Sequence, residues 1–240
     1  MKIENKRIII TGGTSGIGLM LGRKLIKNNK EVILLGTNPQ KLKALQKEGF
    51  TTIACDLSDT CDIERVSVEI QKRFSYIDLL FNNAGVQYNY ELTSQGYPID
   101  KIHREITINI TGQIILTQLL LPLLHLSPQG LIINTTSGLG AFPKKNGLVY
   151  SVTKAAMRNF TIGLRYALKD KKILVHEFIP PVTDTPMTHG RNESKMSPEV
   201  LIEKIILQLE KGRKILTVRK LRIFLWIAFF FPGLAHRIIS

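Results

Sequence analysis

An apolar run from Arg7 to Thr11 passes directly into Thr11-Gly12-Gly13-Thr14-Ser15-Gly16-Ile17-Gly18, and a helical pattern follows from Ile17 to Asn28. A strand that turns on glycines into a helix constrains the fold more than any other stretch of this chain. Glycine permits both the tight turn and the close packing of the helix back onto the strand. The rest of the chain repeats the alternation. Glu31–Leu35, Thr51–Ala54, Asp78–Phe81, Leu131–Thr135, Ile173–Ile179 and Lys214–Val218 read as strands, each a cluster of apolar and β-branched residues bounded by polar or Gly/Pro punctuation. Helices are predicted over Ile63–Phe74, Ile99–Leu124, Tyr150–Lys169 and Pro198–Lys211. Continuous apolar strands separated by helices require a parallel sheet covered on both faces, so the expected fold is α/β and doubly wound, with about seven strands. Neither a repeat nor a low-complexity linker divides the 240 residues. One domain is expected over 1–218, with 219–240 as its basic-apolar extension.

A helix N-terminus carries free N–H groups and the positive end of the helix dipole, so the glycine turn is suited to a pyrophosphate. Such turns also arise for steric reasons alone; the position between the first strand and a helix is what favours nucleotide binding. A carboxylate at the end of the second strand would hold a ribose 2′-hydroxyl and repel a 2′-phosphate. That end reads Gly36-Thr37-Asn38, without an acid, and Lys41 follows. Thr37 and Asn38 are then candidate donors to a phosphate, and NADP(H) is favoured over NAD(H). Farther on, Tyr150 and Lys154 stand at i and i+4 of a predicted helix and share a face. A phenol with a pKa of about 10 is a poor base at neutral pH, and a neighbouring cation would lower that value. Such a pair often occurs by chance, so its weight depends on its company.

That company resembles one family. Gly12-x-x-x-Gly16-x-Gly18, Asn82-Asn83-Ala84-Gly85 after the fourth strand, Asn109 on the next helix, Ser137 after the fifth strand, and Tyr150 with Lys154 follow in the order of the short-chain dehydrogenase/reductases, over about Lys6 to Thr185. The stretches Asn82 to Gln87 and Pro180 to Met187, with the basic-apolar C-terminus, are similar to the DltE-like branch. The resemblance implies a Rossmann-type domain and an NAD(P)-dependent oxidoreductase moving hydride between a nicotinamide and a carbonyl or secondary alcohol. It implies Gly12, Gly16 and Gly18, flanked by Thr14, Ser15 and Ile17, along the pyrophosphate. Asp56 would accept from the adenine amino group beside Leu57, Asn83 to Gly85 (with Ala84) would border the adenine ribose, and Pro180, Thr183 and Thr185 would lie on the nicotinamide side. Asp56 also reads as a turn residue, and Asn82 as a brace between strands. Tyr150 is implied as general acid or base, with Lys154 lowering its pKa and holding the nicotinamide ribose. Ser137 would orient the substrate oxygen, and Asn109 would hold a water joining Lys154 to solvent. Plainer readings stand beside these: a turn hydroxyl for Ser137, a cap in an irregular helix for Asn109, packing for Tyr150. Pro181 replaces the family's usual glycine and stiffens the loop beside Thr183. Thr188–Ser197 is expected as a polar lid, with Gln87–Glu91 and Ala141–Val149 as further pocket walls.

The formal net charge of +14 suits anionic cofactors, membranes or nucleic acid. No zinc pattern or RNA-recognition motif accompanies it, so nucleic acid is not expected as a partner. The expected partners are a small-molecule carbonyl or alcohol and, by the resemblance, further copies of the chain in a dimer or tetramer. Cys55 and Cys61 form neither a disulfide framework nor a metal-ligand pattern, and no metal is expected. The polar opening from Met1 to Arg7 reads as no secretory signal, and a cytoplasmic location is expected. After Arg219-Lys220-Leu221-Arg222 comes an apolar run, Ile223 to Phe231, well short of the roughly 20 residues that span a bilayer. It is expected to be buried against the domain, in a subunit interface or at the substrate mouth; the alternative is a membrane-surface contact through 219–235 that would make the protein peripheral. A second function class keeps the fold without turnover, as a catalytically silent dinucleotide-binding sensor or scaffold. The set Asn109, Ser137, Tyr150 and Lys154 argues against it, since a binder needs no proton relay.

Overall fold

The first strand of the sequence, β1 (Arg7–Thr11), lies in the interior of the sheet, in a computed structural model that describes residues 2–91, 93 and 99–234. The other strands are β2 (Glu31–Gly36), β3 (Thr51–Ala54), β4 (Leu79–Asn82), β5 (Gly130–Thr135), β6 (Ile173–Ile179) and β7 (Ile215–Thr217). They form one seven-stranded sheet in the order β3-β2-β1-β4-β5-β6-β7, and every pair is parallel. The seven expected strands are all present, with no end shifted by more than one residue.

Both faces of the sheet are covered, which is why its strands are apolar without alternation. Ile8 and Ile10 of β1 face one core with Leu21 and Leu25 of α1 (Gly16–Leu25) and Leu201 and Ile205 of α7 (Pro198–Glu210). Ile9 faces the other, with Val66 and Ile70 of α3 (Thr60–Arg73) and Leu116 and Leu120 of α5 (Gly112–His125). Local chemistry sets the helix starts. Asp59 caps α3 by accepting from the Cys61 and Asp62 amides, and Ser197 caps α7 ahead of Pro198.

Three elements depart from the sequence reading. Asn38 and Pro39 start a helix that was not expected, α2 (Pro39–Gln46), with the Asn38 side chain accepting from the Lys41 amide at 2.9 Å. The single helix expected over Ile99–Leu124 is α4 (Ile99–Ile106) and α5 joined by a π-helical turn, Thr107–Thr111. Ile99 to His125 is long and apolar enough to cross a membrane, yet Leu116, Leu120 and Leu124 are fully buried in the core beside the sheet. The C-terminal apolar run forms α8 (Arg219–Phe230), preceded in chain order by α6 (Leu148–Ala167) and α7. Within the chain Trp226 and Phe229 of this helix are 62% and 78% exposed. Residues 235–240 of the expected extension, and residues 1, 92 and 94–98, lie outside the described residues.

Candidate active site

The strand order reverses beside β1, and the C-terminal ends of β1 and β4 open a crevice at that switch point. The Thr11 hydroxyl holds the two ends together, accepting from the Asn83 and Ala84 amides at 2.9 Å each. Gly12 has a φ of +63°, and a Cβ there would stand 2.9 Å from the Ala84 Cα. At Gly18 a Cβ would meet the Gly12 carbonyl oxygen at 2.4 Å, so any side chain would lift α1 off the turn. Unlike α2, α3 and α7, helix α1 has no side-chain cap at its start; unlike α3 and α7, it also has no acidic residue in its first turn. Its N–H groups and dipole are left for an anion from outside the chain, which fits a dinucleotide pyrophosphate.

That turn opens into a cleft of about 580 Å³ whose lining includes Gly12, Ser15, Gly16, Ile17, Asn83, Ala84 and Gly85 on one side and Ser137, Tyr150, Lys154, Pro180, Thr183 and Thr185 on the other. A recess of about 170 Å³ adjoins it, lined by Thr14, Thr37, Asp56, Leu57 and Arg104 among others. Most expected cofactor residues therefore share one continuous crevice. Gly18 and Asn38 do not line it: Gly18 packs behind the turn and Asn38 caps α2. Asp56 is both a wall and a turn residue, with Oδ1 accepting from the Ser58 amide and hydroxyl at 2.8 and 2.6 Å and Oδ2 3.9 Å from Arg104.

Helix α6 presents Tyr150 and Lys154 on its buried face, and Ser137 stands just beyond β5. The Lys154 ammonium lies 5.6 Å from the Tyr150 ring centroid and donates to the Thr135 carbonyl at 2.9 Å. The expected lowering of the Tyr150 pKa is not observed. Burial pushes the phenol up to about 12, against the hydrogen bond of Ser137 and the charge of Arg191, while Glu105 adds to the rise. Burial likewise pushes Lys154 down to about 8. Both groups are so dehydrated that this outweighs their proximity. Asn109 sits on the π turn, fully buried. It clamps Val86 by accepting from its amide at 2.8 Å and donating to its carbonyl at 2.9 Å, and it also donates to the Thr153 hydroxyl at 3.1 Å. Asn82 braces the sheet through Asn134 and Thr117, each at 2.8 Å.

The order of these elements along the chain, and not only their meeting in space, identifies the lineage. The profile of the short chain dehydrogenase family matches residues 6–196. The chain belongs to that family. It is an NAD(P)-dependent oxidoreductase of the DltE-like branch, 29% identical over 225 residues to the uncharacterized oxidoreductase DltE of Bacillus subtilis, covering 90% of this chain and 89% of the relative. It is 34% identical over 184 residues to serine 3-dehydrogenase of Agrobacterium fabrum, covering 75% of this chain and 73% of the relative. The fold of a short chain dehydrogenase from Burkholderia cenocepacia in complex with NADP superposes with a TM-score of 0.88 at 21% identity, over 100% of this chain and 99% of that one.

In this dehydrogenase the far wall of the cleft differs from the sequence expectation. Of the loops Gln87–Glu91 and Ala141–Val149, only Gln87 and Lys144 reach the lining; Leu139 and the α8 residues Leu221 and Phe224 supply the apolar wall. From the polar stretch expected as a lid, Thr188, Arg191 and Glu193 line the cleft, held by Lys144–Glu193 at 2.5 Å and by Arg191 donating to Gln87 Oε1 at 2.9 Å. Thr188 donates to the Thr183 carbonyl at 2.6 Å and accepts from the Thr185 amide at 3.1 Å, fixing the loop that Pro181 stiffens. Arg104 was missed, and Arg191, Leu221 and Phe224 were anticipated only through their segments, the lid and the C-terminal run with the substrate mouth among its places. Their only sequence signal is a basic or apolar side chain within a segment of general expectation, because what brings them to the cleft is long-range packing.

Proposed function

We propose that this dehydrogenase reduces a carbonyl, or oxidises the matching secondary alcohol, with Tyr150 as general acid/base and NADP(H) as the preferred cofactor. The observation that carries the reading is the uncapped α1 N-terminus opening into the same cleft as Ser137, Tyr150 and Lys154. Gly12, Ser15, Gly16 and Ile17 hold the pyrophosphate, Asp56 and Leu57 take the adenine side, Asn83 to Gly85 border the ribose, and Pro180, Thr183 and Thr185 flank the nicotinamide. When bound, the nicotinamide supplies or accepts the hydride. Tyr150 gives its proton to the carbonyl oxygen in reduction, and Lys154 stabilises the phenolate left behind. Ser137 donates to the same oxygen as charge develops. Asn109 holds the Val86 backbone beside Lys154, and a water between Lys154 and solvent completes the relay. NADP over NAD is supported by the absence of an acid at the end of β2, by Arg104 on the wall of the recess, and by the NADP bound to the Burkholderia protein.

Titration with NADPH and NADH, then turnover on a broad carbonyl and alcohol panel, tests the reading. Tyr150→Phe is expected to retain cofactor binding and lose about 100-fold or more in turnover. Near-normal turnover in that variant sinks the assignment, and cofactor binding without turnover by the parent protein favours the silent binder.

We further propose that α8 rests on an anionic membrane surface. Leu221 and Phe224 point to the cleft, while Ile223, Trp226, Phe229 and Phe230 face outward beside Arg219, Lys220 and Arg222. Trp226 and Phe230 stack at 5.4 Å, forming an exposed aromatic cluster of the kind that inserts at lipid headgroups. Cosedimentation with anionic vesicles, lost when Trp226, Phe229 and Phe230 become serine, tests this placement.

A further inference from the structure

Arg191 is a half-buried cation on the lid side of the cleft that also holds Ser137 and Tyr150. Its Nη2 donates to Gln87 Oε1 at 2.9 Å and to the Met187 carbonyl at 3.1 Å, both neutral acceptors. Its Nε is buried without a partner. Among the described residues no carboxylate pairs with it; the acid two positions on, Glu193, is engaged by Lys144 at 2.5 Å. Charges withdrawn from water are ordinarily paired, because an unpaired one keeps its full desolvation cost. A guanidinium held in place by neutral groups, with its buried Nε–H left without a partner, is therefore a half-built pair whose anion comes from outside the chain.

We infer that Arg191 is an anion subsite, and that the substrate of this dehydrogenase is a carbonyl or alcohol bearing a carboxylate. A monoanion matches the single unpaired guanidinium; a phosphate dianion would call on a second cation, and Lys144 is already neutralised by Glu193. The remaining walls nearby are apolar, with Leu221 and Phe224 of α8 and Leu139 beyond β5. The acid group thus sits at the lid while the substrate carbon chain lies on α8. The charge of Arg191 also reaches the reacting end of the cleft, where it offsets part of the burial-driven rise at Tyr150. The inference takes the position of the reacting oxygen from the function proposed above.

Calorimetric titration of the full chain loaded with NADP⁺, using hexanoate and its uncharged counterpart hexanamide as probes, tests it without requiring turnover. Hexanoate is expected to bind about 10- to 100-fold more tightly than hexanamide, as a charge-assisted hydrogen bond predicts. Arg191→Gln should abolish that preference, and Arg191→Lys, which keeps the charge without the fork, should restore part of it. Thermal melts of both variants report folding independently. The proposal is overturned if wild type binds the two probes alike or binds neither, if the preference survives in Arg191→Gln, or if that variant loses NADP⁺ affinity while the preference persists, which would assign Arg191 to the cofactor. A carboxylate preference with no turnover on the wider panel leaves the subsite standing and removes the catalytic reading instead.

Discussion

Tyr150 and Lys154 are both buried, and burial moves them in opposite directions because it opposes whichever form is charged. For Lys154 the folded value of about 8 lies below the ordinary 10.5, so between those pH values the unfolded chain holds a proton that the folded chain has released. Its contribution to stability is fully present above pH 10.5 and is lost as pH falls through 8. Tyr150 runs the other way: its contribution is complete below pH 10 and is lost as pH rises toward 12. The stability difference between wild type and Lys154→Met, read from urea midpoints, should therefore grow in favour of wild type from pH 8 to pH 10.5; a flat difference contradicts the burial argument. The pair was visible in its spacing and took its roles from the family resemblance, but the direction of the Tyr150 shift was not legible. Spacing reports that a cation is near, and only the packed structure reports how little water remains around both.

At the scale of elements, the turns between strands and helices decide which polar groups stay available. Capping by Asn38, Asp59 and Ser197 satisfies the starts of α2, α3 and α7, whereas α1 begins on glycine with its amides unclaimed by any side chain. The same capping holds the Asn38 side chain at the start of α2 through its Oδ1. The π turn between α4 and α5 is a second such device. It carries Asn109, whose amide satisfies both the N–H and the C=O of Val86. Asn109→Ala leaves both groups short of partners and is expected to cost about 2–4 kcal/mol. For a chain of this size that corresponds to a loss of roughly 5–15 °C in Tm. An unchanged melting curve would show that the clamp is replaced by water. Apolar periodicity could not announce this turn, since one extra residue in a long buried helix leaves the hydrophobic pattern almost intact.

At the scale of the whole molecule, basic and aromatic side chains of α8 meet on the outer side of the wall that closes the cleft. Phosphatidylglycerol vesicles should pull down the chain at low salt, and the bound fraction should fall as salt screens Arg219, Lys220 and Arg222. Equal recovery in the supernatant with and without vesicles removes the membrane reading, and self-association lost in the serine-substituted form assigns the aromatic face to a second copy. The α/β class, the seven strands and the glycine turn were determined by sequence alone, because they rest on local periodicity and on residue types at short spacings, while the Asn109, Ser137, Tyr150 and Lys154 set was implied by the order of the family's motifs. The tertiary structure decided the rest. It set the strand order that places the crevice beside β1, brought Arg104, Arg191, Leu221 and Phe224 to that crevice from distant segments, and left one face of α8 in solvent. Those outcomes depend on which surfaces bury one another across the molecule, and no window of neighbouring residues carries that information.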